Sequence, residues 1–165
     1  MPIRAELPDD IDAIRDVTVA AFKAVQPGDE TEAGIVAALR AAGALTVSLV
    51  VEDRDRIIGH VALSPVRING KVGAWYGLGP VSVQPDRQGK GFGQALVRGG
   101  LEHLRALSAD GCVVLGDPAY YSRFGFAWDP GLTYGSVRPG YFQRLVFRGP
   151  SPVGNVTYHD AFGPA

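Results

Sequence analysis

The densest run of chemistry-bearing residues is Val81-Ser82-Val83-Gln84-Pro85-Asp86-Arg87-Gln88-Gly89-Lys90-Gly91-Phe92-Gly93-Gln94-Ala95-Leu96, with three glycines in five positions beside Gln88 and Lys90. A β-rich segment enters it and an apolar helical pattern leaves it. Consecutive backbone N–H groups at a helix start make an anion site, and glycine lets that backbone come close to a phosphate. Lys90 and Arg87 add positive charge, and Gln88 can orient the loop. Two phosphate motifs fail here. A nucleotide P-loop requires Gly, four residues, then Gly-Lys-Ser/Thr, yet Gly91 follows Gly89-Lys90 and Gln84 stands at the leading position. The dinucleotide pattern G-x-G-x-x-G requires glycine where Gln94 or Leu96 stands. What fits is Q-x-x-G-x-G, carried by Gln88, Gly91 and Gly93. An ordinary strand-to-helix turn does not require three spaced glycines with Gln and Lys.

A second block, Gly116-Asp117-Pro118-Ala119-Tyr120-Tyr121-Ser122-Arg123-Phe124-Gly125-Phe126, brings two phenols beside aromatic residues. Tyr121 is either a functional phenol or a core residue packing on Phe124 and Phe126. Tyr120 reads as structural, although a shift of one residue would exchange the two. His60 lies in an apolar strand and reads as a core histidine. His103 and His159 lack metal-ligand spacing, so no metal site is expected. Cys112, among Val113, Val114 and Leu115, reads as a buried thiol without a partner base. Asp9, Asp10 and Asp12 suit the positive end of a helix dipole.

The elements that must position these residues follow from periodicity. Ile3 to Glu6 is a short strand stopped by Leu7-Pro8. Ile11, Ile14, Val17, Thr18 and Ala21 give a helix an apolar face, broken at Gln26-Pro27-Gly28-Asp29. A second helix is expected from Glu30 to Ala42. The period then turns strand-like over Thr46 to Glu52, Arg56 to Val66 and Lys71 to Val83, with a turn at Asp53-Arg54-Asp55. Asn69-Gly70 is a hairpin signal because both positions tolerate positive φ. Gly77, Gly79 and Pro80 require a bulge or break in the third of these strands. A helix is expected over Gly91 to Ala109, with Gly99 and Gly100 inside it at a cost of roughly 1 kcal/mol each relative to Ala. Another backbone packs close there, or the helix is weak. Strands are expected at Cys112 to Leu115, after Phe126, at Leu145 to Phe147 and at Val156 to Tyr158, with a short helix from Pro118 to Phe124.

A chain of 165 residues suits one domain and buries roughly 70% of the surface it exposes when unfolded. Its 16 basic and 17 acidic side chains give no global field to collect nucleic acid. One cysteine cannot form an intrachain disulfide, which points to a reducing compartment. The N-terminus carries no signal pattern, and the apolar runs fall short of the ~20 residues that cross a bilayer. A cytoplasmic protein, with neither membrane nor nucleic-acid partner, is the expectation.

The Gln88, Gly91, Gly93 motif, with Gly79-Pro80-Val81-Ser82-Val83 before it and Ala95-Leu96 after it, resembles the pyrophosphate-binding motif of the GNAT superfamily of N-acetyltransferases. The Tyr121 to Gly125-Phe126 segment resembles the family's tyrosine-to-Gly-Phe segment. Ser48-Leu49-Val50, Gly59-His60-Val61-Ala62-Leu63-Ser64-Pro65 and Tyr158-His159 followed by Ala161-Phe162 resemble its YhbS-like bacterial branch. The resemblance implies a single α/β domain over residues 1–165, with a mixed, largely antiparallel sheet flanked by helices and splayed between the fourth and fifth strands. It implies transfer from acetyl-CoA to a primary amine, with Gln88, Gly89, Lys90, Gly91, Phe92 and Gly93 on the cofactor pyrophosphate. Backbone groups of Val81 and Val83 would pair with the pantetheine arm, and Tyr121 would protonate the leaving thiolate. Two departures stand out. Gly116-Asp117-Pro118 replaces an asparagine that contacts the cofactor in many members, so Asp117 is a candidate for that role. Lys71 to Val83 has no carboxylate, which leaves the general base open among His60, Asp117, Glu32 and water. Segments 23–34 and 129–138 would flank the acceptor. A non-catalytic acyl-CoA sensor is the alternative, and a homodimer is left open.

Overall fold

The computed structural model describes residues 2–25, 28 and 30–163. Gln26, Pro27 and Asp29 of the expected helix break lie outside the described residues. The chain opens with β1 (Ile3–Ala5) and turns at Pro8–Asp10 into α1 (Ile11–Lys23). Asp10 fixes that entry, accepting from the Leu7 N–H at 2.7 Å and from Arg4 at 2.6 Å. α2 (Thr31–Ala41) follows, then a meander of β2 (Val47–Asp53), β3 (Arg56–Ile68) and β4 (Lys71–Val83). The second hairpin turns on Asn69 and Gly70, at φ 52° and 79°, as the Asn-Gly pair predicts. α3 (Phe92–Ala106) leads to β5 (Gly111–Leu115), the single turn α4 (Pro118–Tyr121), β6 (Ala127–Trp128), β7 (Leu132–Thr133), β8 (Phe142–Val146) and β9 (Gly154–Tyr158). The third helix stops three residues before its expected end. Leu107–Ala109 instead forms a turn with Ser108 at φ 62°.

The sheet is mixed and mostly antiparallel, in the order β1-β2-β3-β4-β5-β8-β6, with β9 on β3 and β7 on β9. Side chains alternate between its faces. Leu49, Val51, Val61 and Leu63 meet Leu96, Val97, Leu101 and Leu104 of α3 on one face. Val50 and Ala62 meet Ile14 of α1 and Val36 of α2 on the other. Fully buried leucines such as Leu63, Leu96 and Leu104 contribute roughly 1.5–3 kcal/mol each. Gly99 and Gly100 are where α3 sits on the sheet. A Cβ on Gly100 would stand 2.7 Å from Leu63, and one on Gly99 3.3 Å from Ile3 and Leu49. Close side chains, not a close backbone, account for both glycines.

Two irregularities shape β4. Val61 pairs with Val81 and Leu63 with Leu78, so two steps on β3 match three on β4, and Gly79-Pro80 forms a bulge opposite Ala62. On its other edge β4 pairs in parallel with β5 only from Trp75↔Gly111 to Gly77↔Val113. Beyond that point β4 runs on to Val83 held by β3, while β5 runs on to Leu115 held by β8. The sheet therefore opens between its fourth and fifth strands, as expected, with the closed end at Gly77 and Val113.

Candidate active site

The loop from β4 to α3 puts unpaired backbone donors at the mouth of this opening. Gln88 donates from Nε2 to the Val83 carbonyl at 3.1 Å, tying the loop to the strand end. Gly89 and Gly91 hold φ of 75° and 87°, and Gly91 is the cap residue from which α3 starts. Ala95 N–H bonds the Gly91 carbonyl at 3.1 Å, so the earlier N–H groups of this turn have no intrahelical acceptor. They converge on the positive end of a helix of 15 residues. Arg87 supplies less free charge than its sequence position suggests. Its guanidinium bonds Asp53 at 3.1 Å and Asp86 at 2.9 Å.

The strand presents its own backbone. Gln84 N–H bonds the Ile58 carbonyl at 2.8 Å, which makes 58↔84 a hydrogen-bonded pair. Antiparallel ladders alternate, so the N–H and C=O of Val81 and Val83 turn away from β3, toward the side that β5 has left. The Val83 carbonyl takes Gln88, and the other groups face the opening. A cavity of about 550 Å³ covers this edge and the loop. Val81, Val83, Gln88, Gly89, Gly91, Phe92 and Gly93 all line it, whereas Lys90 is exposed outside it. Ala21 and Phe22 of α1, Tyr120 and Arg123 also line it. Sequence reasoning missed Ala21, Phe22 and Arg123, because nothing in a helix pattern tells which of its residues will wall a distant loop.

The two phenols divide. Tyr120 lines the cavity, its hydroxyl 3.5 Å from where a Cβ on Gly93 would stand, with Arg123 lying 4.5 Å over its ring. Tyr121 turns inward. Its ring covers Gly116, where a Cβ would come within 2.4 Å, and meets Phe126 edge-on at 6.0 Å. Burial, with the Tyr120 phenol and Cys112 thiol nearby, pushes the Tyr121 hydroxyl up to about 12, so it remains a neutral donor at neutral pH. Asp117 caps α4, accepting from the Ala119 N–H at 2.9 Å, which ties its carboxylate to the turn that carries both tyrosines.

Of the candidate bases, Asp117 stays on the turn of the two tyrosines, whereas His60 lies on the other face of the sheet. His60 is fully buried, with Nε2 2.8 Å from the Ser48 hydroxyl. Ser48 donates onward to Glu6, which also binds Arg40 at 2.8 and 3.1 Å. Burial pushes the imidazole down to about 4, so it is neutral at neutral pH. His60 Nδ1, one oxygen of Glu32 and the hydroxyls of Ser64, Ser82 and Tyr158 are buried without a hydrogen-bond partner. Among the described residues no group of His, Cys, Asp or Glu could hold a metal ion, and no helix is long and apolar enough to cross a membrane.

Comparison with known proteins places the chain in a family. The family model described as acetyltransferase (GNAT) domain matches residues 2–128. The N-acetyltransferase YhbS of Escherichia coli, whose activity is uncharacterised, is 39% identical over 127 residues, covering 76% of this chain and 73% of that protein. A crystal structure of that YhbS in complex with CoA superposes at a TM-score of 0.88, with 34% identity, over 98% of this chain and 91% of its own. A GNAT family acetyltransferase from Brucella melitensis, solved in complex with acetyl-CoA, is 51% identical with a TM-score of 0.86, over 98% and 97% of the two chains. This chain belongs to the GNAT acetyltransferase family.

Proposed function

We propose that this protein transfers an acetyl group from acetyl-CoA to a primary amine of a small molecule or peptide, by direct attack on the thioester, with residues 1–165 acting as one domain. One observation carries the proposal: the unpaired edge of β4 and the donor-rich start of α3 face a single cavity. The N–H groups of residues 89–94 receive the pyrophosphate. The pantetheine arm pairs with Val81 and Val83 as a strand added to a sheet edge. A β4 N–H polarises the thioester carbonyl and holds the developing oxyanion. Holding amine and thioester together supplies further acceleration. As the C–S bond breaks, Tyr121 gives its proton to the thiolate. With no carboxylate on β4, the amine proton goes to water, and water returns a proton to the Tyr121 phenolate, so no net charge is left on the enzyme. The complexes of the two structural relatives with acetyl-CoA and CoA support the cofactor. The lone buried Cys112 suits a reducing, cytoplasmic setting.

The lack of a β4 carboxylate favours a second reading, an acyl-CoA sensor without turnover. Calorimetry with acetyl-CoA tests the shared part. Binding by the wild type and at least about tenfold weaker binding by a Gly91→Leu/Gly93→Leu double variant are expected, because side chains would fill the anion cradle. Unchanged affinity in the double variant overturns the site. Release of free thiol from acetyl-CoA in the presence of a panel of amines then separates the enzyme from the sensor.

A further inference from the structure

The closed end of the β4–β5 opening is occupied by a side chain from a strand that belongs to neither. β9 pairs with β3 at Val66↔Tyr158, and Tyr158 lies on the Val66 side of the sheet. From there its ring reaches across β3 onto β4. A Cβ on Gly77 would come within 2.7 Å of the ring carbon Cε2 and 3.1 Å of Val66. Gly77 is the last β4 residue paired to β5. The hydroxyl, one atom beyond the ring, is therefore close to Gly77. Consistent with that position, it feels the Cys112 thiol of β5 and the Tyr121 phenol on the opposite face. It is buried and has no hydrogen-bond partner. Tyr134 and Phe162 hold the ring from its sides, each with its centroid 5.0 Å away.

Building on the acetyl-CoA assignment above, we infer that Tyr158 is the stop that limits the acyl group to a short chain. The pantetheine arm runs along Val83 and Val81 toward Gly77, so the acyl group is the part of the cofactor that points at Tyr158. An acetyl group ends within the opening. Each added methylene must displace a ring packed between Tyr134 and Phe162. The ring, not the hydroxyl, is the stop.

The test needs no acceptor. Binding of CoA, acetyl-CoA, butyryl-CoA and hexanoyl-CoA is measured by calorimetry for the wild type, Tyr158→Phe, Tyr158→Leu and Tyr158→Ala. The wild type is expected to prefer acetyl-CoA over hexanoyl-CoA by about tenfold or more. Tyr158→Phe retains most of that preference, while Tyr158→Leu and Tyr158→Ala reduce it to about threefold or less. Affinity for CoA itself stays the same throughout, since the pyrophosphate loop is untouched. Tyr158→Leu keeps apolar contact with Tyr134 and Phe162 and so covers a failure of the alanine variant to fold. A wild type that binds acetyl-CoA and hexanoyl-CoA equally overturns the inference alone, as does an undiminished preference in Tyr158→Leu. A wild type that binds none of the four overturns the proposed function and this inference with it.

Discussion

A phenol serves as an acid only while it keeps its proton, and burial keeps it on Tyr121 at any working pH. Removing the hydroxyl leaves the ring on Gly116 and Phe126, so Tyr121→Phe should fold and bind acetyl-CoA as the wild type does. Its turnover, measured with the best acceptor of the amine panel, should fall by roughly 10²-fold, the lower range for a positioned acid. Tyr120→Phe is the control. That hydroxyl faces the cavity wall near Gly93, and its loss should change turnover only a few-fold. Full activity in Tyr121→Phe with a large loss in Tyr120→Phe would move the acid by one residue. A drop in melting temperature without a change in turnover would make Tyr121 a core residue.

At the scale of elements, α3 shows how a locally unfavourable sequence serves a tertiary contact. Gly→Ala inside a helix gains about 1 kcal/mol from propensity. At Gly100 the new methyl would press on Leu63, which is fully buried and cannot yield, and overpacking of that kind costs about 1–3 kcal/mol. Gly100→Ala is therefore expected to lower stability in urea unfolding by up to about 2 kcal/mol. Gly99→Ala, with its closest contacts at 3.3 Å, should stay near neutral. Equal effects at the two positions would refute the packing argument. Such contacts mark the limit of what the sequence discloses. The loop at Gln88 to Gly93, the Asn69-Gly70 turn and the irregular β4 were legible because each is a local matter of φ and spacing. The ion pair of Arg87 with Asp53, the wall made by Phe22 and the placement of Tyr158 over Gly77 were not. Each depends on strand order and register, which bring together residues far apart in the chain. Tyr158-His159 stood out as a resemblance, yet only the pairing of β9 with β3 gives it a place.

Across the whole molecule, a partly buried polar path ties four segments together: Arg40 of α2, Glu6 after β1, Ser48 of β2 and the fully buried His60 of β3. Its titration should set the acid stability of the protein. Burial lowers the imidazole from its ordinary 6.5 to about 4, with Glu6 opposing that shift and Arg40 adding to it. Between these values the unfolded chain binds a proton at His60 that the folded chain refuses, so acidification favours unfolding. The stability contributed is fully present above pH 6.5 and is lost progressively down to about pH 4. The full loss is about 3 kcal/mol, large against the roughly 5–15 kcal/mol of an ordinary domain. Carboxylates act in a lower window. Burial raises Glu6, but hydrogen bonds from Arg40 and Ser48 outweigh it, while Arg4 lowers Asp10. Their contributions are present above their ordinary values of 4.5 and 3.8 and disappear as the pH falls through the lower folded ones. Urea unfolding at pH 7, 5.5 and 4.5 separates the two. The wild type should weaken steadily across this range, whereas His60→Gln, which can still bond Ser48 and does not titrate, should be nearly flat. If both proteins weaken in parallel, the proton taken up on unfolding belongs to another group, and the path from Arg40 to His60 is structural only.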